Sequence, residues 1–208
     1  IADMLMEDAN TTDVTAPFRG SEAGIRVLVD FWNRECNKLG IDKLAGASVN
    51  AISNKTTDSD QIEKLAKNLL QELIDKLNDS RGSAIQELAG WLYTSVCVVQ
   101  SKQDKSNPAI VDPKAFVVLT FMLRTFCPMI LSSGLKTTSM NAQANKIGEE
   151  KSVPQANSNV MYFAKLIPTT AKLIQTTANQ FQVDPKRVDP EFRSLFQNLE
   201  NALLPEQK

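Results

Sequence analysis

The sequence predicts an all-α protein that forms a single helical domain over residues 1–208. Several stretches repeat apolar residues at spacings of three and four, and no stretch alternates apolar and polar residues as a half-buried strand does. Two Asp-Pro pairs stand directly before apolar runs, where helices commonly begin. A hydrophobic fraction of 42% and a charged fraction of 23% are typical of a globular chain, so disorder and collagen-like repetition are excluded.

The clearest amphipathic helix is predicted over residues 60–77. Its apolar positions are Ile62, Leu65, Leu69, Leu73, Ile74 and Leu77, and charged residues fill the positions between them. The same pattern predicts helices over residues 21–39, which include Trp32, and 83–101, which include Val96.

Asp112-Pro113 predicts the start of a central buried helix over residues 113–125 or beyond. The β-branched Val117 and Val118 would also permit a strand, but the length of the apolar run and the leading Asp-Pro favour a helix. Pro128 is expected to bend or end this helix, because proline lacks an amide hydrogen.

A long mobile loop is predicted over about 132–157, which is rich in Ser, Thr, Asn and Gln. A helix is expected over 159–181, with Pro168 as its kink or its start. Asp189-Pro190 predicts a last helix that runs through Leu203.

Composition excludes several classes of function. The formal net charge is −1, so no global field attracts nucleic acid or an anionic membrane. The chain has no histidine, which excludes His-dependent catalytic triads and imidazole metal sites, and we expect no metal. The cysteines at positions 36, 97 and 127 are expected to be free, buried thiols in a reducing compartment. No apolar run is long enough to span a membrane without a polar break, and we expect a cytoplasmic protein excised from a longer chain.

Three separated stretches of the sequence resemble motifs of a known protein family. They are Pro-Phe-Arg-Gly-Ser-Glu-Ala-Gly-Ile-Arg at 17–26, Met-Leu-Arg-Thr-Phe-Cys-Pro-Met-Ile at 122–130, and Ala-Lys-Leu-Ile-Gln-Thr-Thr-Ala-Asn at 171–179. In this order they resemble the finger loop, the Phe-Leu-Arg helix and the Lys-x-x-Gln helix of the catalytic domain of neurofibromin-like Ras GTPase-activating proteins (RasGAPs). The resemblance implies a helical domain of the RasGAP type with a shallow groove for a GTPase.

The resemblance implies that Arg19, on a finger loop at 15–21 with Phe18 and Gly20 beside it, enters the nucleotide pocket of the partner. Hydrolysis of GTP builds charge on phosphate oxygens, and the planar guanidinium of arginine can contact two of them at once. The resemblance also implies that Arg124 holds the finger loop in its extended form. Judged without the resemblance, Arg124 could equally be an arginine that extends to the surface of an apolar helix or is paired there.

Lys172, Gln175 and Asn179 follow one another at steps of three and four, so they share one helical face. The resemblance implies that this face lines the groove and binds the switch regions of the GTPase. Judged without the resemblance, a polar stripe is usually a solvated helix face.

The implied function is stimulation of GTP hydrolysis by a Ras-like small GTPase, without independent catalytic activity. GTP and Mg²⁺ belong to the partner, so no cofactor is expected, and the chain is expected to be monomeric and recruited to membranes by flanking domains. One alternative is an inactive scaffold of the same fold, which substitutions such as Ser21, Glu22 and Thr176 favour. Another is an unrelated helical adaptor, in which Arg19 and Arg124 would lie far apart.

Overall fold

The computed structural model describes residues 1–11, 23–53, 59–80, 83–102, 112–133, 163, 166 and 189–205. Among these residues the regular structure is helical and no strand occurs, which confirms the all-α prediction. The helices are α1 (Ala2–Thr11), α2 (Ala23–Lys38), α3 (Ile41–Ser53), α4 (Ser59–Asp79), α5 (Ala84–Ser101), α6 (Pro113–Phe121) and α7 (Pro190–Leu203).

The predicted helices over 60–77 and 83–101 are confirmed as α4 and α5, and the one over 21–39 as α2 from Ala23 onward. Both Asp-Pro pairs begin helices as predicted. The Asp112 carboxylate accepts a hydrogen bond from the Lys114 amide at 3.0 Å, and the Asp189 carboxylate accepts one from the Glu191 amide at 2.7 Å. These side chains satisfy amides that the first helical turn leaves without a partner.

Helices α1 and α3 were not among the sequence predictions. The core side of α3 consists of Ile41, Ala45 and Val49, all fully buried. Small residues and glycine fill much of the rest of this helix, so its apolar period is weak in the sequence. Among the side chains of α1 whose burial the structure describes, residues 2–9, Leu5 and Ala9 are buried completely or nearly so.

The helix that begins at Pro113 continues to Ser133, so the expectation that Pro128 could end it is wrong. A π-helical turn, Met122–Phe126, follows α6, and the Cys127 amide donates to the Met122 carbonyl. This wider turn shifts the carbonyls out of the α-helical register just before the proline, which lets the helix pass a residue that has no amide hydrogen.

Residues 132 and 133 are therefore helical rather than the start of the predicted loop. The remainder of that loop lies outside the described residues. So does the predicted helix over 159–181, except for Phe163 and Leu166, which are helical. Phe163 is fully buried and Leu166 packs against the core.

Helix α5 lies at the centre of the packing and contacts α1, α2, α6 and α7. Helix α4 packs between α3 and α7. Trp32 of α2 is fully buried, and its indole N–H donates to the Ile85 carbonyl of α5 at 3.1 Å. The same ring packs edge-on against Phe121 of α6, with a centroid distance of 5.4 Å. One side chain thus connects α2 to both α5 and α6.

Candidate functional site

Arg124 lies in the π-helical turn and is exposed, whereas its neighbours Met122, Thr125 and Phe126 are buried. The turn belongs to a helix that is otherwise largely enclosed by the core. The guanidinium group of Arg124 thus lies at the surface, on a helix that is packed in the core. π-Helical turns occur frequently at functional sites.

Helix α2 packs against this π-helical turn as well as against α1. Its first residue follows directly on residues 12–22, which contain the predicted finger loop. The contacts of Trp32 hold the middle of α2 against α5 and α6. Helix α2 is therefore the rigid element that joins the Arg124 helix to the end of the predicted finger loop.

The start of α2 is held by α1. The Gly24 amide donates to the Asp8 carboxylate at 2.8 Å. An ideal Cβ added to Gly24 would lie 2.6 Å from Asp8 Oδ2, 2.9 Å from the Leu5 amide nitrogen and 3.0 Å from the Met4 carbonyl carbon. Two of these three atoms belong to the backbone of α1, so the two helices approach this closely only because residue 24 has no side chain.

The end of α1 is held by α5. The Lys102 ammonium group, just after the last turn of α5, donates to the Ala9 carbonyl at 3.2 Å. Ala9 lies in the last turn of α1, where carbonyls lack partners within the helix and a positive charge is favourable. We call the contacts of Asp8, Gly24, Ala9 and Lys102 the α1–α2 junction.

Most of the residues that the resemblance assigns to the site lie outside the described part of the chain. These residues are Phe18, Arg19 and Gly20 of the finger loop at 15–21, and Lys172, Gln175 and Asn179 of the predicted groove. Their assignment remains a prediction, and Arg124 is the predicted site residue that the structure describes.

The sequence reading missed the α1–α2 junction. Asp8 and Gly24 are sixteen positions apart and belong to different helices, so no local spacing relates them. An isolated glycine can permit close approach of two backbones, and this is the role of Gly24 here.

Two cysteines lie in the core beside the candidate site, Cys36 in α2 and Cys127 after the π-helical turn, and the structure holds both as free thiols. Burial raises the pKa of each to about 12, and for Cys36 the nearby Asp42 and Glu35 add to the effect. Both stay protonated and unreactive near neutral pH. Cys97 is also free but only half-buried, so the prediction of free thiols is confirmed and that of full burial holds for two of them.

Within the described ranges, no group of three or more Cys, Asp or Glu side chains is arranged to hold a metal ion. An open depression of about 680 Å³ lies between α5 and α7, with Trp91, Tyr93, Lys114 and Leu204 among its lining residues. Arg124 does not line it.

By length and apolar composition alone, the helix Pro113–Ser133 could cross a membrane. Inside the structure, 61% of its most apolar window is buried. Such burial is typical of the core helix of a globular protein.

Comparisons of the chain with protein-family models, with curated proteins and with solved structures found no match.

Proposed function

We propose that this chain is a GTPase-activating module, which stimulates GTP hydrolysis by a Ras-like small GTPase through Arg19 supplied in trans. The three ordered sequence stretches that resemble RasGAPs carry the proposal. The exposed position of Arg124 on a helix that is mostly buried in its apolar window supports it, because an arginine that braces a neighbouring loop must reach the surface from a fixed base.

The proposed chemistry is electrostatic. A small GTPase leaves part of the charge that develops on the γ-phosphate and leaving oxygens without a cation, and Arg19 would supply that cation in the transition state. An arginine finger raises the rate of hydrolysis by about 10³ to 10⁵ in known systems, or about 4 to 7 kcal/mol of barrier. GTP and Mg²⁺ would be bound by the partner, and the activator would supply only the arginine and its support.

The alternative function is that of a scaffold which binds a small GTPase without stimulating it. Ser21, Glu22 and Thr176 favour this alternative, since they depart from the residues expected at the finger loop and at the third motif. Retention of arginine at both position 19 and position 124 favours the activator.

Single-turnover GTP hydrolysis by a panel of Ras and Rap GTPases distinguishes the two. An activator accelerates hydrolysis by at least one GTPase, and Arg19→Ala removes most of this stimulation while affinity changes only a few-fold, because the finger acts in the transition state. Arg193→Ala on α7 is the control, as it removes an equally charged, exposed side chain. Binding without stimulation would instead establish the scaffold.

The predicted groove needs a separate test. Lys172→Glu reverses a charge that is proposed to meet acidic switch residues, so it should weaken GTPase binding and reduce the dependence of binding on salt. Unchanged affinity in this variant would show that the third motif is not part of the GTPase-binding surface.

A further inference from the structure

The exposed side of α5 forms the floor of the open depression of about 680 Å³. Glu87, Gly90 and Thr94 line the depression and follow one another at steps of three and four, so they form one strip along the helix. A helix turns by about 100° per residue, which places Trp91 on one side of this strip and Tyr93 on the other. The floor of the depression therefore runs between two aromatic side chains.

Gly90 leaves the middle of this floor open, because a Cβ added there would meet no atom within 4 Å. Both aromatic side chains are half-buried and pack against the hydrophobic core, so their rings are held at the edges of the depression. Lys114, at the start of α6, and Leu204 and Pro205, at the end of α7, also line it. A concave volume of this size, with aromatic walls and a few polar groups, is typical of a site for a small organic molecule.

The described charges at the depression are mostly negative. Glu87 is exposed on the floor. The Lys114 ammonium group lies 3.9 Å from the Glu200 carboxylate of α7, which offsets part of its positive charge. Burial and, after it, the Asp112 carboxylate raise the pKa of Glu200, so Asp112 adds a further negative charge nearby. Of these four described side chains, three are acidic.

We propose that the depression binds a small organic cation, a molecule that carries an ammonium group on an apolar body. An ammonium group is attracted both to a carboxylate and to the electron-rich face of a tryptophan or tyrosine ring. In this site Glu87 pairs with the ammonium group, and Trp91 and Tyr93 flank the ligand. A free anion is disfavoured, because three carboxylates lie around one ammonium group. None of these contacts depends on the proposed role toward a GTPase.

Three probes of similar length and shape test the sign of the ligand charge. They are the cation 3-phenylpropylammonium, the neutral 3-phenylpropanol and the anion 3-phenylpropionate. We expect the cation to bind with a Kd of about 1 mM or below, and about 10-fold more tightly than the other two. The NMR signal of the Trp91 indole N–H reports binding. Trp32, the other tryptophan of the chain, is the internal control, since it is fully buried and its N–H donates to the Ile85 carbonyl.

Two substitutions test the charges of the site. Glu87→Gln keeps the size of the side chain and removes its charge, so it should weaken binding of the cation about 5- to 10-fold and leave binding of the neutral probe unchanged. Glu72→Gln is the control, at an exposed acid of α4 that does not line the depression. Lys114→Met should instead tighten binding of the cation about 2-fold, because it removes a like charge.

Gly90→Leu tests the location of the site. The leucine side chain extends into the open space above the floor, so binding of the cation should fall at least about 10-fold. Leucine is a better helix former than glycine, and the melting temperature should not fall. Gly90→Ala is the matched control, because a single methyl group leaves most of the depression open and should retain most of the binding.

Several results would overturn the proposal. No shift of the Trp91 signal with any probe at about 10 mM would show that the depression binds none of them. Equally tight binding of the neutral or the anionic probe, or equal behaviour of Glu87→Gln and Glu72→Gln, would show that the site does not select a cation. Equal shifts of the Trp91 and Trp32 signals would show that the probes enter the core, and full binding by folded Gly90→Leu would place the site elsewhere.

Discussion

Charged side chains stabilise two regions of the molecule, the contact of α4 with α7 and the α1–α2 junction, in different ways. Where α4 meets α7, Lys67 contacts carboxylate oxygens of Glu63 at 2.9 Å, Asp189 at 2.5 Å and Glu191 at 2.9 Å. Its ammonium group also lies 5.2 Å from the centroid of the Phe192 ring. We call Lys67 and these three acids the α4–α7 ion cluster. At the α1–α2 junction, by contrast, the Asp8 carboxylate accepts a hydrogen bond from the Gly24 amide, and the Lys102 ammonium group donates one to the Ala9 carbonyl.

The difference indicates at which of the two helix–helix contacts one interaction can be removed without changing the arrangement of the helices. In the α4–α7 ion cluster, removal of one carboxylate leaves Lys67 with two others. At the α1–α2 junction, one substitution removes the acceptor of the Gly24 amide, and the glycine leaves no room for a larger residue. We therefore expect the ion cluster to affect mainly stability, and the junction to affect both stability and the spacing between α1 and α2.

The largest expected effect comes from Gly24→Ala. The added methyl group meets backbone atoms of α1 at 3.0 Å or less, so α1 and α2 must separate. Overpacking of this kind costs about 1–3 kcal/mol in the free energy of unfolding, measurable by urea or thermal unfolding. The control is Gly90→Ala in α5, where an added Cβ meets no atom within 4 Å. Alanine there should raise stability by about 0.5–1 kcal/mol, and equal behaviour of the two variants would contradict the account.

Lys67→Met should have the next largest effect. The Lys67 side chain is only 15% exposed, and its loss leaves three carboxylates facing one another. We expect a decrease of about 2 kcal/mol in the free energy of unfolding, with GTPase stimulation unchanged. Lys64→Met, at an exposed position of the same helix, should stay within about 0.5 kcal/mol of the wild type. A loss of stimulation in Lys67→Met at a temperature where this variant remains folded would contradict the claim that the α4–α7 ion cluster affects mainly stability.

Alkaline pH should lower the stability of the protein through the buried Cys36 thiol of α2. Burial raises the pKa of Cys36 from 9.0 to about 12, so above pH 9 the unfolded chain loses a proton that the folded chain keeps. Stability then falls with rising pH by about 1.4 kcal/mol per pH unit for such a thiol. In denaturant titrations between pH 8 and pH 10, Cys36→Ala should show a smaller decline than the wild type. Parallel declines would show that Cys36 is not buried as described.

Acidic pH should reduce the stability that the α4–α7 ion cluster contributes. This effect is smaller than the effect of alkaline pH. The hydrogen bond from Lys67 holds the pKa of Asp189 below its ordinary value of 3.8. A lowered carboxyl pKa contributes stability above the ordinary value, and the contribution is lost as pH falls through the lowered one. The pKa of Lys67 is raised above 10.5, so its contribution is complete below that pH. The stability difference between wild type and Lys67→Met should thus be constant near neutrality and shrink below pH 3.8.

The sequence predicted the elements whose signals are local. The apolar period of α4 and the two Asp-Pro starts depend only on neighbouring residues, and the structure has them where expected. The apolar period of α3 was weak in the sequence because residues as small as Ala45 give little apolar signal. Their burial in the structure comes with the packing of α4 against α3. Continuation of the central helix past Pro128 also depends on burial of Phe126 and Ile130 rather than on local propensity.

The candidate site likewise has a part with a local sequence signal and a part that depends on contacts between distant residues. Arg124 was predicted from a contiguous motif; the structure gives it an exposed position, and its role stays a prediction. Asp8 and Lys102 could not be found, since each acts on the backbone of a distant residue, and a backbone partner leaves no trace in the sequence.

The most direct test of the central claim compares binding of the GTPase in two states. One state carries a non-hydrolysable GTP analogue, and the other carries GDP with aluminium fluoride, which mimics the phosphoryl group in transfer. A transition-state mimic is bound about 10² times or more tightly than a ground-state ligand when the arginine acts in the transition state. We predict this preference for the wild type and its loss in Arg19→Ala, with affinity for the GTP analogue within a few-fold of the wild-type value. Equal preference in the wild type and in Arg19→Ala would contradict the account.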